Sequence, residues 1–87
     1  MIVVELSFLP TDERLSARPA HRVILERLHG GGALLTAGPW TDDTGALLIF
    51  NAERTAVDEI MADDPYYTTN GVTVTSIRDW TTIVGPT

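Results

Sequence analysis

The chain has 87 residues and no cysteine, and twelve acidic against six basic residues leave it with a net charge of -6. A chain this short makes one small domain and buries only ~60% of the surface that its unfolded form exposes. The missing cysteines exclude disulfides and thiolate metal sites, and the negative balance argues against nucleic acid and anionic membrane as partners. Met1-Ile2-Val3-Val4-Glu5 lacks the positive start and long apolar run of a secretory leader, and no apolar run approaches membrane-spanning length, so a cytoplasmic protein is expected. Two histidines and scattered carboxylates do not make a usual zinc set, and neither a metal nor an organic cofactor is expected. With 44% hydrophobic residues in so small a chain, some apolar surface is expected to be left for a partner subunit.

Residues 1–87 read as a single domain without repeats or linkers. Ile2 to Phe8 is a strand of β-formers closed by Pro10. Thr11-Asp12-Glu13-Arg14 reads as a polar turn, in which Asp12 or Ser16 caps a short helical lead-in. Pro19 then marks the start of the main helix, since its missing N–H costs nothing in a first turn. The helix runs to about His29 and stops at Gly30-Gly31-Gly32. Its inward face carries His21, Ile24, Leu25 and Leu28, at i, i+3, i+4 and i+7.

Ala33 to Ala37 is a short apolar strand expected to be buried on both faces. The turn-rich stretch from Gly38 to Gly45 links it, as an eight-residue hairpin loop, to a third strand from Ala46 to Asn51. A second amphipathic helix, Ala52 to Ala62, turns Ala56, Val57, Ile60 and Met61 inward. Asp63-Asp64-Pro65 ends it, because the residue before a proline is pushed out of the helical region. Tyr66 to Gly71 reads as a loop, and Val72 to Val84 as a long last strand. The apolar phase in that strand shifts between Val74 and Ile77, the mark of a bulge.

The order βαββαβ contains a central hairpin, so the sheet is not all parallel. Crossover handedness then favours a ferredoxin-like α+β sandwich, an antiparallel sheet with both helices on one face. The opposite face has too few polar residues for open water and is expected to meet a second copy. In this topology the first strand ends, the first helix begins, and the second strand and second helix both end at one rim. That rim gathers His21, the Thr36-Ala37-Gly38-Pro39 segment, and Asp63 and Asp64.

A carboxylate beside an imidazole orients the ring, fixes its tautomer and raises its basicity, the arrangement needed for general acid–base chemistry. At His21 the helix N-terminus and Asp64 are expected to act in opposite senses on the imidazolium. The bland alternatives are a hydrogen-bonded core histidine and an Asp64 that only caps the turn before Pro65. Arg18 is either an anion contact or a solvated cation, and Thr36 either supplies a hydroxyl or fills a strand. Trp40 either stacks on a ligand or packs at a subunit boundary; Tyr66 and Tyr67 either close a pocket or pack. Asp42-Asp43 reads as a solvated turn, His29 as a cation at a helix C-terminus, and Trp80 as core or interface in the last strand. The glycine triplet follows a helix and lacks the Lys-Ser/Thr pair of a phosphate loop.

Five segments bear a family resemblance. They are Arg18-Pro19-Ala20-His21, then Leu34-Leu35-Thr36-Ala37-Gly38-Pro39, then Gly45 before an apolar strand, then Ala62-Asp63-Asp64-Pro65-Tyr66, then a glycine before a last strand carrying Trp80. In their order and spacing the chain resembles the YciI-like (YCII-related) family over nearly its whole length, with a shorter loop after Gly38-Pro39 than many members have. The resemblance implies a ferredoxin-like fold that pairs into a dimeric α+β barrel. It also implies an active site centred on His21 and Asp64, with Thr36 to Pro39 as pocket wall. Relatives with such a barrel isomerise lactones or eliminate halide from aromatic ring intermediates.

Residues and resemblance together lead to the expectation of a small homodimeric enzyme. It would carry out lyase- or isomerase-type proton transfer on a small organic molecule. His21 would be the general base or acid and Asp64 its orienting partner, with Arg18, Thr36, Gly38, Pro39, Trp40 and Tyr66 around the substrate. The rival is a non-catalytic small-molecule-binding or accessory module using the same pocket. The two separate on one feature, a His21 ring nitrogen left free toward a cavity.

Overall fold

Alternation in the first strand puts Ile2, Val4 and Leu6 on one side, and that side is the buried one in β1 (Ile2–Phe8). In the computed structural model, which describes residues 1–85, α1 (Asp12–Gly30), β2 (Leu34–Pro39), β3 (Gly45–Phe50) and α2 (Arg54–Asp63) follow. A short 3₁₀ turn (Pro65–Thr68) and β4 (Val72–Asp79) complete the chain. The four strands form one antiparallel sheet in the order β2-β3-β1-β4, the ferredoxin-like α+β arrangement. Its core joins Val4, Leu6, Leu48 and Phe50 of the sheet to Val57 of α2 and Tyr66, with Leu25 and Leu28 of α1 packed against it.

The first helix starts earlier than the proline suggests. Thr11 is its N-cap, accepting from the Arg14 N–H at 3.2 Å, and Asp12 and Glu13 lie in the first turn, where the helix dipole favours them. Pro19 therefore sits inside the helix, on its exposed side. Neither Asp12 nor Ser16 caps it, and Arg14, read as part of a turn, is one of its buried residues. Tertiary packing of Arg14 and His21 outweighs the usual preference of proline for a first turn. His21 thus lies mid-helix, away from the positive end expected to act on it.

The hairpin loop is shorter than expected, Trp40 to Thr44, because pairing runs on through Gly38↔Leu47 and Pro39↔Ala46. β2 is an edge strand and carries exposed Thr36, so it is not buried on both faces. Residues 65–68 form the 3₁₀ turn where a loop was expected. β4 stops at Asp79, opposite Ile2, the first residue of β1; one residue further on, Trp80 exchanges backbone hydrogen bonds with Met1. The expected bulge is present: Glu5 pairs with Ser76 and Leu6 with Val74, which leaves Thr75 as the extra residue. Gly71 has φ +97°, and a Cβ there would run into the Thr11 side chain, so glycine is required where the chain passes the start of α1.

The far face of the sheet presents Val3, Leu47 and Ile49, half-buried in a shallow groove of about 350 Å³ beside Trp80. Glu5 and Arg78 pair on this face at 3.6 Å.

Candidate active site

The stripe on α1 delivers His21, and the break between α2 and the 3₁₀ turn delivers Asp64. They meet at 2.6 Å between Nδ1 and Asp64 Oδ2, with residue exposures of 6% and 2%. The other carboxylate oxygen, Oδ1, accepts the Tyr66 backbone N–H at 3.0 Å and caps the 3₁₀ turn. Asp64 therefore fills both roles that the sequence leaves open. Its cap fixes the carboxylate and so aims Oδ2 at the ring. Since that oxygen is an acceptor, Nδ1 carries the proton and Nε2 holds the lone pair of the neutral ring.

Aromatic neighbours hold the imidazole. Tyr66 stacks on it with ring centres 4.0 Å apart and planes 11° apart, and Tyr67 meets it edge-on at 5.4 Å. Burial among these groups pushes the His21 pKa below its usual 6.5; Asp64 works against that shift, and Arg22 adds a smaller repulsion. The resting ring is neutral at pH 7. Among the described residues Nε2 makes no hydrogen bond, and the ring lines a cavity of about 420 Å³. Among the described residues the buried Tyr67 hydroxyl has no partner, and its pKa is raised, first by burial.

The cavity lies between α1 and the sheet. Phe8, Ala46, Leu48 and Pro39 supply apolar wall; Arg18, Arg22 and Asp43 supply charge. Asp43 is not a free turn residue. It sits at φ +59° and binds Arg14 Nη2 at 2.9 Å and Arg18 Nη1 at 3.6 Å. Its hydrogen bond from Arg14, with the charges of Arg14, Arg18 and Arg22, holds the carboxyl below the usual carboxylate range despite some desolvation.

Arg14 is the residue that sequence reasoning missed. It is 1% exposed, donates Nε–H to the Leu9 carbonyl at 2.8 Å, and stands 4.5 Å from the Phe8 ring centre. Burial works against its charge, but Asp43 and the Tyr66 phenol outweigh it and raise its pKa. The signal was its position seven residues before His21, on the same helix face; reading Pro19 as the helix start hid it.

Arg18, Gly38, Pro39 and Tyr66 line the cavity with His21. Thr36 does not: on the edge strand its register partner is Ile49 of the far sheet face, and it borders a separate shallow groove near His29. Trp40 is 48% exposed and also lies outside the cavity wall. Asp63 faces solvent. His29 is not simply a terminal cation, since its Nδ1–H donates to the Leu34 carbonyl at 3.0 Å and ties the helix end to β2. Among the described residues no group of three or more histidines and carboxylates is placed to hold a metal ion.

A four-stranded βαββαβ domain with a buried histidine–carboxylate pair at a cavity between helix and sheet defines the class, a small α+β pocket protein. The chain belongs to the YCII-related family, whose domain model matches residues 2–81. It is 41% identical over 66 residues to Protein YciI of Escherichia coli O6:H1 and to Protein YciI of Shigella flexneri, which covers 63% of this chain and 67% of each relative. Among solved structures it is similar to the 5-chloro-2-hydroxyhydroquinone dehydrochlorinase of Burkholderia phenoliruptrix in complex with 2,5-dihydroxybenzoquinone. The TM-score is 0.65 at 23% identity, over 93% of this chain and 94% of that one, a likeness of fold.

Proposed function

We propose that this protein is a small homodimeric enzyme that uses His21 and Asp64 for general acid–base chemistry, of lyase or isomerase type, on a small organic molecule. One observation carries the reading. Asp64 engages Nδ1 at 2.6 Å while, among the described residues, Nε2 has no partner and its ring lines a cavity. A histidine tied only to fill a core would have both nitrogens satisfied.

The neutral ring takes a proton from substrate at Nε2. The imidazolium so formed is stabilised by Asp64, whose own position is fixed by the cap on Tyr66. The proton then returns to the product from the same nitrogen. Burial keeps the resting ring unprotonated, and the carboxylate keeps it from becoming too weak a base. The walls of Phe8 and Leu48 limit water around the reacting atoms. Arg18 is a contact for a negatively charged group. The dehydrochlorinase supports the reading as an enzyme of the same fold that takes a small ring compound. The dimer rests on the apolar groove of the far sheet face, which a second copy would cover.

Proton exchange tests the chemistry even while the natural substrate is unidentified. Small organic acids, enols and quinones that bind by ligand-detected NMR are incubated with the protein in D2O. The wild type is expected to exchange a carbon-bound proton of at least one ligand, and His21→Asn to bind that ligand without exchanging it. Ligands that bind but exchange no faster than in buffer would leave a binding module in place of an enzyme.

A further inference from the structure

Three of the chain's six basic residues, Arg14, Arg18 and Arg22, recur at every fourth position of α1. This spacing stacks them in one row with neighbouring Cβ atoms ~5–6 Å apart, and the row runs beside His21. Their commitments differ. Arg14 is buried and bound to Leu9, Asp43 and the face of Phe8. Arg18 is half-buried and reaches the same Asp43 oxygen only at 3.6 Å. Arg22 is exposed and makes no ion pair or hydrogen bond among the described residues, although Glu26 lies one turn further on. Arg18 and Arg22 both line the cavity with His21, and both act on Asp43 across it.

We infer that Arg18 and Arg22 bind the carboxylate of a singly charged organic acid and hold its apolar remainder against His21 Nε2. This rests on the acid–base reading of the same cavity and names its substrate class. Asp43 already occupies the slot between Arg14 and Arg18 with one carboxylate, which shows the group that this row accepts. The Arg22 fork and the unspent part of the Arg18 fork are left over, enough for one negative charge. A phosphate dianion would have to face the Asp43 and Glu26 carboxylates that share the cavity wall. Opposite the arginines the wall is Phe8, Ala46, Leu48 and Pro39, which takes an apolar skeleton and no second charge. Arg18 and Arg22 lie within one helical turn of His21 on either side in sequence, so an acid held by its carboxylate places its next carbons at the imidazole. In a chain of net charge -6 this row also draws anions to the cavity that Arg18 and Arg22 line.

Benzoate and benzamide test the inference, because they share a ring and a shape and differ in charge. Binding is read from the backbone amides of Gly38, Ala46 and Leu48 by NMR titration. Benzoate is expected to saturate, and benzamide to bind at least about tenfold more weakly. Arg18→Met and Arg22→Met are each expected to weaken benzoate about tenfold, the loss of one charge-assisted contact. Arg54→Met, at the exposed Asp58 pair on α2, should leave it unchanged. His21→Asn is expected to keep benzoate binding, which separates anion recognition from proton transfer. Equal affinity for the two probes, no response of the cavity amides to either, or an Arg22→Met protein that binds benzoate as the wild type does, would overturn the inference. The proton-exchange result would stand in each case.

Discussion

Replacing Asp64 with asparagine puts a single question to the pair at the centre of the cavity. The asparagine oxygen can go on accepting the Tyr66 N–H that Oδ1 accepts at 3.0 Å. Its NH2 group then stands where Oδ2 met His21 Nδ1 at 2.6 Å. Two N–H groups cannot share that contact, so the ring must move its proton to Nε2 and accept at Nδ1. The nitrogen facing the cavity is then already protonated and no longer a base. Loss of the charge-assisted hydrogen bond costs about 1.5–3 kcal/mol, and the wrong tautomer lowers proton-exchange rates by ~10²–10⁴-fold. The pKa of His21 falls as well, because no carboxylate favours the imidazolium. Imidazole nitrogen NMR reads tautomer and titration together. His21→Asn is the companion variant. Its amide can go on donating to the buried Asp64 Oδ2 but cannot take up a proton, so this variant should fold and melt close to the wild type above neutral pH. A wild-type His21 that never titrates, with a His21→Asn protein that does not fold, would refute the reasoning and leave a structural histidine.

The remaining expectations concern the pair's surroundings. Asp63→Asn, at an exposed position beside Asp64, should leave both the His21 titration and ligand binding unchanged; a response equal to that of Asp64→Asn would reassign the carboxylate. Arg14→Met should lower stability by about 1.5–3 kcal/mol by thermal or urea melt, since it removes the charge-assisted contact with Asp43 and one of two donors to the Leu9 carbonyl, the Thr11 N–H remaining. Sedimentation at micromolar concentration should give about twice the 9.5 kDa chain mass, and a monomer would remove the dimer reading. Stability should fall as pH drops through 6.5 toward the lower value of folded His21, because the unfolded ring takes up a proton first. That slope should be absent above 6.5 and absent in His21→Asn, whereas the drop from Asp43 begins only as the pH approaches the ordinary carboxylate value of 3.8.

Legibility in the sequence followed the range of the interactions. Period-two and period-3.6 patterns reflect burial against one face, so β1, α2 and the inward stripe of α1 could be read directly. Boundaries set by a distant partner could not. β4 ends opposite the first residue of β1, and β2 extends to Pro39 because β3 pairs with it, neither of which is a property of the residues at the boundary. Pro19 misled for a related reason. Its local preference is for a first turn, while the helix start was decided seven residues earlier by the Thr11 cap and by an arginine whose partners lie on β1, its following turn and the hairpin loop. Topology alone brings the ends of β2 and α2 together, with Gly38, Pro39 and Asp64, but His21 reaches them from the middle of α1 and not from the helix start that Pro19 suggested. Thr36 and Trp40 flank the same segment yet stay out of the cavity, since on an edge strand alternate residues face away and a tight loop turns its tip to solvent.

Asp64 shows why the two ways of reading a residue need not compete. The sequence Asp-Pro favours a side chain that caps the turn it opens, and Oδ1 does so on Tyr66 N–H. That local duty removes the freedom of the carboxylate to rotate, and the remaining oxygen is left pointing at His21. The same turn lays the Tyr66 ring on a face of the imidazole, where it stacks at 4.0 Å. Capping, carboxylate aim and ring stacking thus come from three consecutive residues, Asp64-Pro65-Tyr66. Histidine orientation in this fold is therefore set by the backbone of the 3₁₀ turn rather than by helix α1 itself. Changes that straighten the turn should disturb His21 more than changes of equal size along the helix that carries it.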